Sequence, residues 1–135
     1  MATRIVEIEG IGPARAEKLK LADIDTVEEL LEKCASESGR HAVSAKTGLT
    51  EKNLLEWVNM ADLMRIHGVG PEFAELLEAA GVDTIRELAT RNPANLTAKM
   101  AAVHAEKGLT RAVPSEKQVD KWIDEAKTLK PLVTH

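Results

Sequence analysis

The residues with most chemical promise lie in the stretch IEGIGPARAEKL, Ile8–Leu19. Gly10 and Gly12 stand one residue apart, Pro13 follows, and Arg15, Lys18 and Lys20 come next. Glycines permit backbone angles and close approaches that a Cβ blocks. A helix opening behind them starts with unpaired backbone N–H groups and the positive end of its dipole. Such an end suits an anion, and a phosphate fits it. From Gly10 to Lys20, Arg15, Lys18 and Lys20 stand against Glu17 alone, a local balance of +2. The competing use of the same glycines is a tight turn that only packs two helices, and the residues alone leave both uses open.

These residues recur. Fifty-eight positions on, the chain reads IHGVGPEFAELL, Ile66–Leu77. Gly10, Gly12, Pro13, Ala16, Leu19, Asp25, Thr26 and Glu29 align with Gly68, Gly70, Pro71, Ala74, Leu77, Asp83, Thr84 and Glu87. Further on the offset becomes 65, so that Trp57, Val58 and Ala61 align with Trp122, Ile123 and Ala126. A seven-residue insertion therefore falls between Ala89 and Pro114 in the second copy. Two copies of one helical unit are the simplest account. The second copy departs in charge: from Gly68 to Glu78 it has Glu72, Glu75 and Glu78 and no base, a balance of -3. Glu72 in a first helical turn complements the helix dipole itself and repels a phosphate.

The elements that must position these turns read as helices. Pro13 and Pro71 suit the first helical position, where a missing N–H costs nothing. Ala22-Asp23 and Ala80-Gly81 close those helices with a left-handed residue. Thr26-x-x-Glu29 and Thr84-x-x-Glu87 are capping boxes, and Ser115-x-x-Gln118 opens the last helix. Val27, Leu30, Leu31 and Cys34 share one helical face. Leu54, Trp57, Val58 and Ala61 do so next, and Val119, Trp122, Ile123 and Ala126 repeat it. Arg40–Thr47 reads as a short helix stopped by Gly48. Asn92 and Pro93 open a longer one, with Leu96, Met100 and Val103 inward and Gly108 at its end. No strand alternation of useful length appears. The expected fold is all-α, with two tandem units, 1–65 and 66–129, joined by a shared long helix from Thr50 to about Arg65. Residues 130–135 read as a tail.

Composition narrows the function classes. Hydrophobic residues make up 44% of 135, enough for a core, so global disorder is not expected. Aromatics are 2%, which counts against a single-strand binder built on stacking rings. The net charge of -4 argues against nucleic-acid binding by the whole surface and leaves local patches. A second basic stretch has Lys99, Lys107, Arg111, Lys117 and Lys121 against Glu106, Glu116 and Asp120. Cys34, the single cysteine, excludes an intramolecular disulfide and fits a reduced cytoplasmic setting. No signal peptide or membrane span is expected. His41, His67, His104 and His135 have no metal-ligand spacing with one another or with Cys34, so no metal or other cofactor is expected. The chain lacks G-x-x-x-x-G-K-[ST], G-x-S-x-G and H-E-x-x-H, and the expectation is a non-enzyme with no small-molecule substrate evident.

IEGIGPARAEKL and IHGVGPEFAELL resemble the helix-hairpin-helix motif, hydrophobic-Gly-hydrophobic-Gly-x-x-x-Ala-x-x-Leu. GIGPARAEKLKLADIDTVEELL is also similar to the small N-terminal helical domain of archaeal and eukaryotic recombinases. The tandem arrangement looks most like a bacterial helix-hairpin-helix family known only as a domain of unknown function, and this resemblance covers nearly the whole chain. It implies two small pseudo-duplicated bundles, like SAM domains. It also implies that hairpin amides and a nearby base hold a duplex phosphate without reading bases. Carried over, the candidate nucleic-acid contacts are the amides of Gly10 and Gly12, then Ala14 and Arg15, with Lys18 and Lys20 close by. The expected partner is DNA or RNA backbone. The alternative is a protein-interaction or scaffold module whose hairpins only shape the fold.

Overall fold

The structure is a computed structural model that describes residues 3–108 and 112–134. Among the described residues it is all-helical, with eight α-helices, one 3-10 turn and no strand; a lone antiparallel bridge joins Arg4 to Thr26. The chain divides into two compact units. The first runs up to Asp62 and regains the segment from Leu132; the second is Leu63–Pro131.

In the first unit a 3-10 turn at Ile5–Glu7 precedes α1 (Gly12–Lys20), α2 (Val27–Cys34), α3 (Glu37–Thr47) and α4 (Glu51–Leu63). The expected box at Thr26 is complete. Thr26 Oγ1 accepts the Glu29 N–H at 3.1 Å, and Glu29 Oε1 accepts the N–H groups of Asp25 and Thr26, each at 3.0 Å. Those backbone donors, that of Asp25 first, hold the Glu29 carboxyl below its ordinary range. Asp23 takes the left-handed conformation, φ 60°, as the end of α1 requires. Leu19, Val27, Leu30, Cys34, Leu54, Trp57, Val58 and Ala61 are buried and Leu31 is half-buried, so the apolar stripes face the core with Leu31 at its edge. The helix expected to reach Arg65 ends at Leu63. Ile66 N–H then bonds the Leu63 carbonyl at 3.1 Å, turning the chain into Gly68.

The segment read as a tail is attached to this unit. Val133 is buried, and Thr134 N–H donates to the Ala35 carbonyl at 2.8 Å. Arg40, only 4% exposed, locks that contact. Its Nη1 donates to the carbonyls of Cys34 and Ala35, both at 3.0 Å, and its Nη2 to that of Thr134 at 2.6 Å. A guanidinium thus satisfies the open carbonyls behind α2, where a cation also suits the negative helix end.

The second unit holds α5 (Pro71–Ala79), α6 (Ile85–Ala89), α7 (Pro93–Lys107) and α8 (Glu116–Thr128). Asn92 caps α7 by accepting the Asn95 N–H at 3.1 Å, and Gly108 closes it in the left-handed conformation. Ser115 Oγ accepts the Gln118 N–H at 3.1 Å. The box expected at Thr84 is half-formed. Thr84 Oγ1 accepts the Glu87 N–H at 3.1 Å and donates to Glu87 Oε1 at 3.4 Å, and the return bond to the Thr84 backbone is not formed. A side-chain hydrogen bond with Asp83 first, then desolvation and the Asp83 charge, raise the Glu87 pKa. Val119, Trp122, Ile123 and Ala126 line the core face of α8.

Candidate functional site

At the first turn Gly10 has φ 94°, a conformation that a side chain rarely adopts. A Cβ there would also meet Trp57 Nε1 at 3.3 Å. The turn is thus closed by packing: Ile8 and Ile11 are buried on either side of Gly10, and the α4 indole lies where a side chain would come. Gly12, φ 64°, opens α1 with nothing within 4 Å of its Cβ position. No side chain caps α1, and of its first residues Gly12, Ala14 and Arg15 have an N–H while Pro13 has none.

The predicted contact residues gather around this turn. Gly10, Ala14, Arg15, Lys18 and Lys20 are exposed, and Gly12 is half-buried. Arg15 Nη1 donates to the Gly10 carbonyl at 3.0 Å, so the guanidinium is held across the turn. This contact covers the carbonyl that would repel a phosphate and leaves other guanidinium donors outward. Lys20 pairs with Glu17 at 3.2 Å, both largely exposed, a bond worth little and easily exchanged for another anion.

The second turn is built alike and furnished differently. Gly68 has φ 90°, and its Cβ would meet Trp122 Nε1 at 3.1 Å. Gly70, however, is extended, with φ -96° and ψ -171°. Where the 58-residue offset puts Arg15, the second unit has Phe73, whose ring lies 5.2 Å from that of Trp122. The turn also has an anion of its own. Glu125 on α8 accepts the His67 N–H at 3.0 Å on Oε1, and His67 Nδ1 lies 2.9 Å from Oε2. The corresponding positions in the first unit are Glu9 and Met60, which cannot make this pair. The carboxylate came from 58 residues away and gave no local signal in the sequence.

The family model described as a domain of unknown function, DUF4332, matches residues 9–129. The chain belongs to this family. The DUF4332 match takes in both glycine turns, both tryptophans and Glu125. No curated protein and no solved structure matches the chain at a significant level.

The remaining candidates resolve simply. Cys34 is fully buried, and burial pushes its thiol up to about 11, which suits packing and not nucleophilic work. Among the described residues no cluster of His, Cys, Asp and Glu is set to hold a metal ion, and no helix is long and apolar enough to cross a membrane. Arg111 of the second basic stretch, and His135, lie outside the described residues.

Proposed function

We propose that the chain is a duplicated helix-hairpin-helix protein whose first hairpin holds the sugar-phosphate backbone of a nucleic acid without reading its bases. The recurrence of a left-handed glycine against an indole nitrogen, Gly10 with Trp57 and Gly68 with Trp122, supports the duplication. The observation that carries the function is the first hairpin itself: an uncapped helix start with Arg15 fixed at 3.0 Å across the Gly10 carbonyl, and Lys18 and Lys20 exposed beside it. Backbone amides and cations of this kind position a phosphate and carry no sequence information.

The test is fluorescence anisotropy with labelled duplex and single-stranded DNA and RNA, from low to physiological salt. Two or three phosphate contacts predict a slope of log K against log salt of about -2 to -3. Arg15→Glu, Lys18→Glu and Lys20→Glu together should abolish binding. Absence of wild-type binding at low salt, or equal binding by the triple variant, overturns the reading. A second reading, a protein-interaction module, is favoured by the second hairpin, where Glu125 already occupies a backbone amide. It is also favoured by Leu21, a large apolar side chain 68% exposed at the end of α1.

A further inference from the structure

The second unit has a groove of about 520 Å³ beside α7 that differs from either hairpin. Ala80 and Leu96, both buried, form an apolar floor. Arg91, Asn95 and Lys99 stand on the walls, and no carboxylate lines it. The Arg91 guanidinium is preset, since Nη2 donates to the Gly81 carbonyl at 2.9 Å. It also pairs with Glu87, at 3.8 Å. Asn95 and Lys99 are four residues apart on one helix, so their side chains share a face. Both are exposed.

We propose that this groove is a second anion site of the molecule and that its ligand carries phosphate. A guanidinium, an ammonium and a side-chain amide line it as donors, and Glu87, the carboxylate paired with Arg91, is not among the lining residues. A volume of this order exceeds one free phosphate and falls in the range of sites for small ligands. A nucleotide fits such a space, as does a short run of nucleic-acid backbone; the chemistry recognised is the same. The side chains make this site, and not the start of α7. Pro93 has no N–H, and Asn92 already caps the Asn95 amide. In the second unit the turn is acidic and Glu125 is bonded to the His67 amide beside it, whereas the face of α7 carries the donors. The groove does not depend on the first hairpin, and either site stands if the other fails.

Amide chemical shifts of the ¹⁵N-labelled full chain test this directly. Three probes are titrated separately: inorganic phosphate, ATP and a blunt DNA duplex. The expected result is a saturable shift of Gly81 and residues 90–99 with at least one of them. Lys99→Glu should weaken it about tenfold, the loss of one charge-assisted contact. The Arg15, Lys18 and Lys20 triple reversal should leave it unchanged. Saturation by ATP but not duplex identifies a free nucleotide, and the reverse identifies a backbone. Arg91→Gln should act in the same direction as Lys99→Glu, with circular dichroism checking that loss of its Gly81 contact has not unfolded the unit. The proposal is overturned if no probe moves these amides, if the shifts appear only at Gly10–Lys20, or if Lys99→Glu binds as tightly as wild type.

Discussion

At the first turn Gly10 faces the Trp57 indole and Arg15 reaches back to the glycine carbonyl. At the second, Gly68 faces Trp122, a phenylalanine ring packs tilted against that indole, and Glu125 sits on the neighbouring amide. The glycine and the indole recur because a helix can approach a turn this closely only where one residue has no side chain. The groups around them are free to differ, because the turn does not need them. Both helix starts lack a side-chain cap, and what differs is the set of side chains an anion would sense: a guanidinium in one place is an aromatic ring in the other, and a methionine in one place is a carboxylate in the other. Packing therefore explains the shared part of the two turns, and only the unshared part bears on function.

Substitution of the tryptophans should give the largest effects and break the likeness in a measurable way. Trp57→Ala and Trp122→Ala each remove a nearly buried indole and should cost about 3–5 kcal/mol. Trp122→Ala also removes the contact with Phe73 and should cost about 1 kcal/mol more. Urea unfolding with free slopes checks both. Equal costs would mean that Phe73 adds nothing to the second core.

The glycines test the likeness at finer grain. Gly10→Ala, Gly12→Ala and Gly68→Ala place a side chain at positive φ and should each cost about 1–2 kcal/mol. Gly70→Ala meets no atom within 4 Å and suits an extended residue before proline. It should be neutral or stabilise by up to about 1 kcal/mol, by reducing the freedom of the unfolded chain. If Gly70→Ala costs as much as Gly12→Ala, the second glycine of both turns does the same work and the difference in their angles has no energetic meaning. A smaller effect is expected at Glu125. Its change to Ala should cost about 1 kcal/mol, the worth of a typical net hydrogen bond, and speed hydrogen exchange at the His67 amide. Unchanged exchange there would mean that the carboxylate does not hold the turn.

Much of this fold was legible because it is written locally. Thr26, Asn92 and Ser115 are caps whose partners lie three residues on, and Asp23, Gly48 and Gly108 end helices by their own backbone angles. The tryptophan stripes announced their burial through helical spacing. The groups that set the chemistry were less legible, since their partners are remote or their choice is a competition. Nothing near Arg40 says that it will bond Thr134, 94 residues away. Nothing near His67 names Glu125. Arg15 was visible as a base, but its attachment to the Gly10 carbonyl depends on a helix turn folding the side chain backward. The bridge of Arg4 to Thr26, and the Val27 N–H bonded to the Thr3 carbonyl at 2.8 Å, use backbone groups and leave no side-chain signature.

The two Thr-x-x-Glu boxes carry the same comparison into pH dependence, where the effects are smallest and their signs opposite. In the first, Glu29 is bound by backbone donors that favour its charged form, so its folded pKa is lowered. Its contribution to stability is complete above the ordinary glutamate range and is lost as pH falls through the folded value. In the second, Glu87 shares a hydrogen bond with Asp83 that favours the protonated form, so its folded pKa is raised. The folded state then binds this proton more tightly than the unfolded chain does. Above the raised value the ionised pair costs stability, and acidification through that value restores it. Glu29→Gln should lower the melting temperature near neutral pH and flatten its fall toward acid. Glu87→Gln should preserve or raise the melting temperature near neutral pH and remove the gain on mild acidification. Melting curves of the wild type and both variants over that range give the two differences directly. Differences of the same sign would mean that Asp83 does not bond Glu87 in solution, and that the second box closes on its own backbone as the first does.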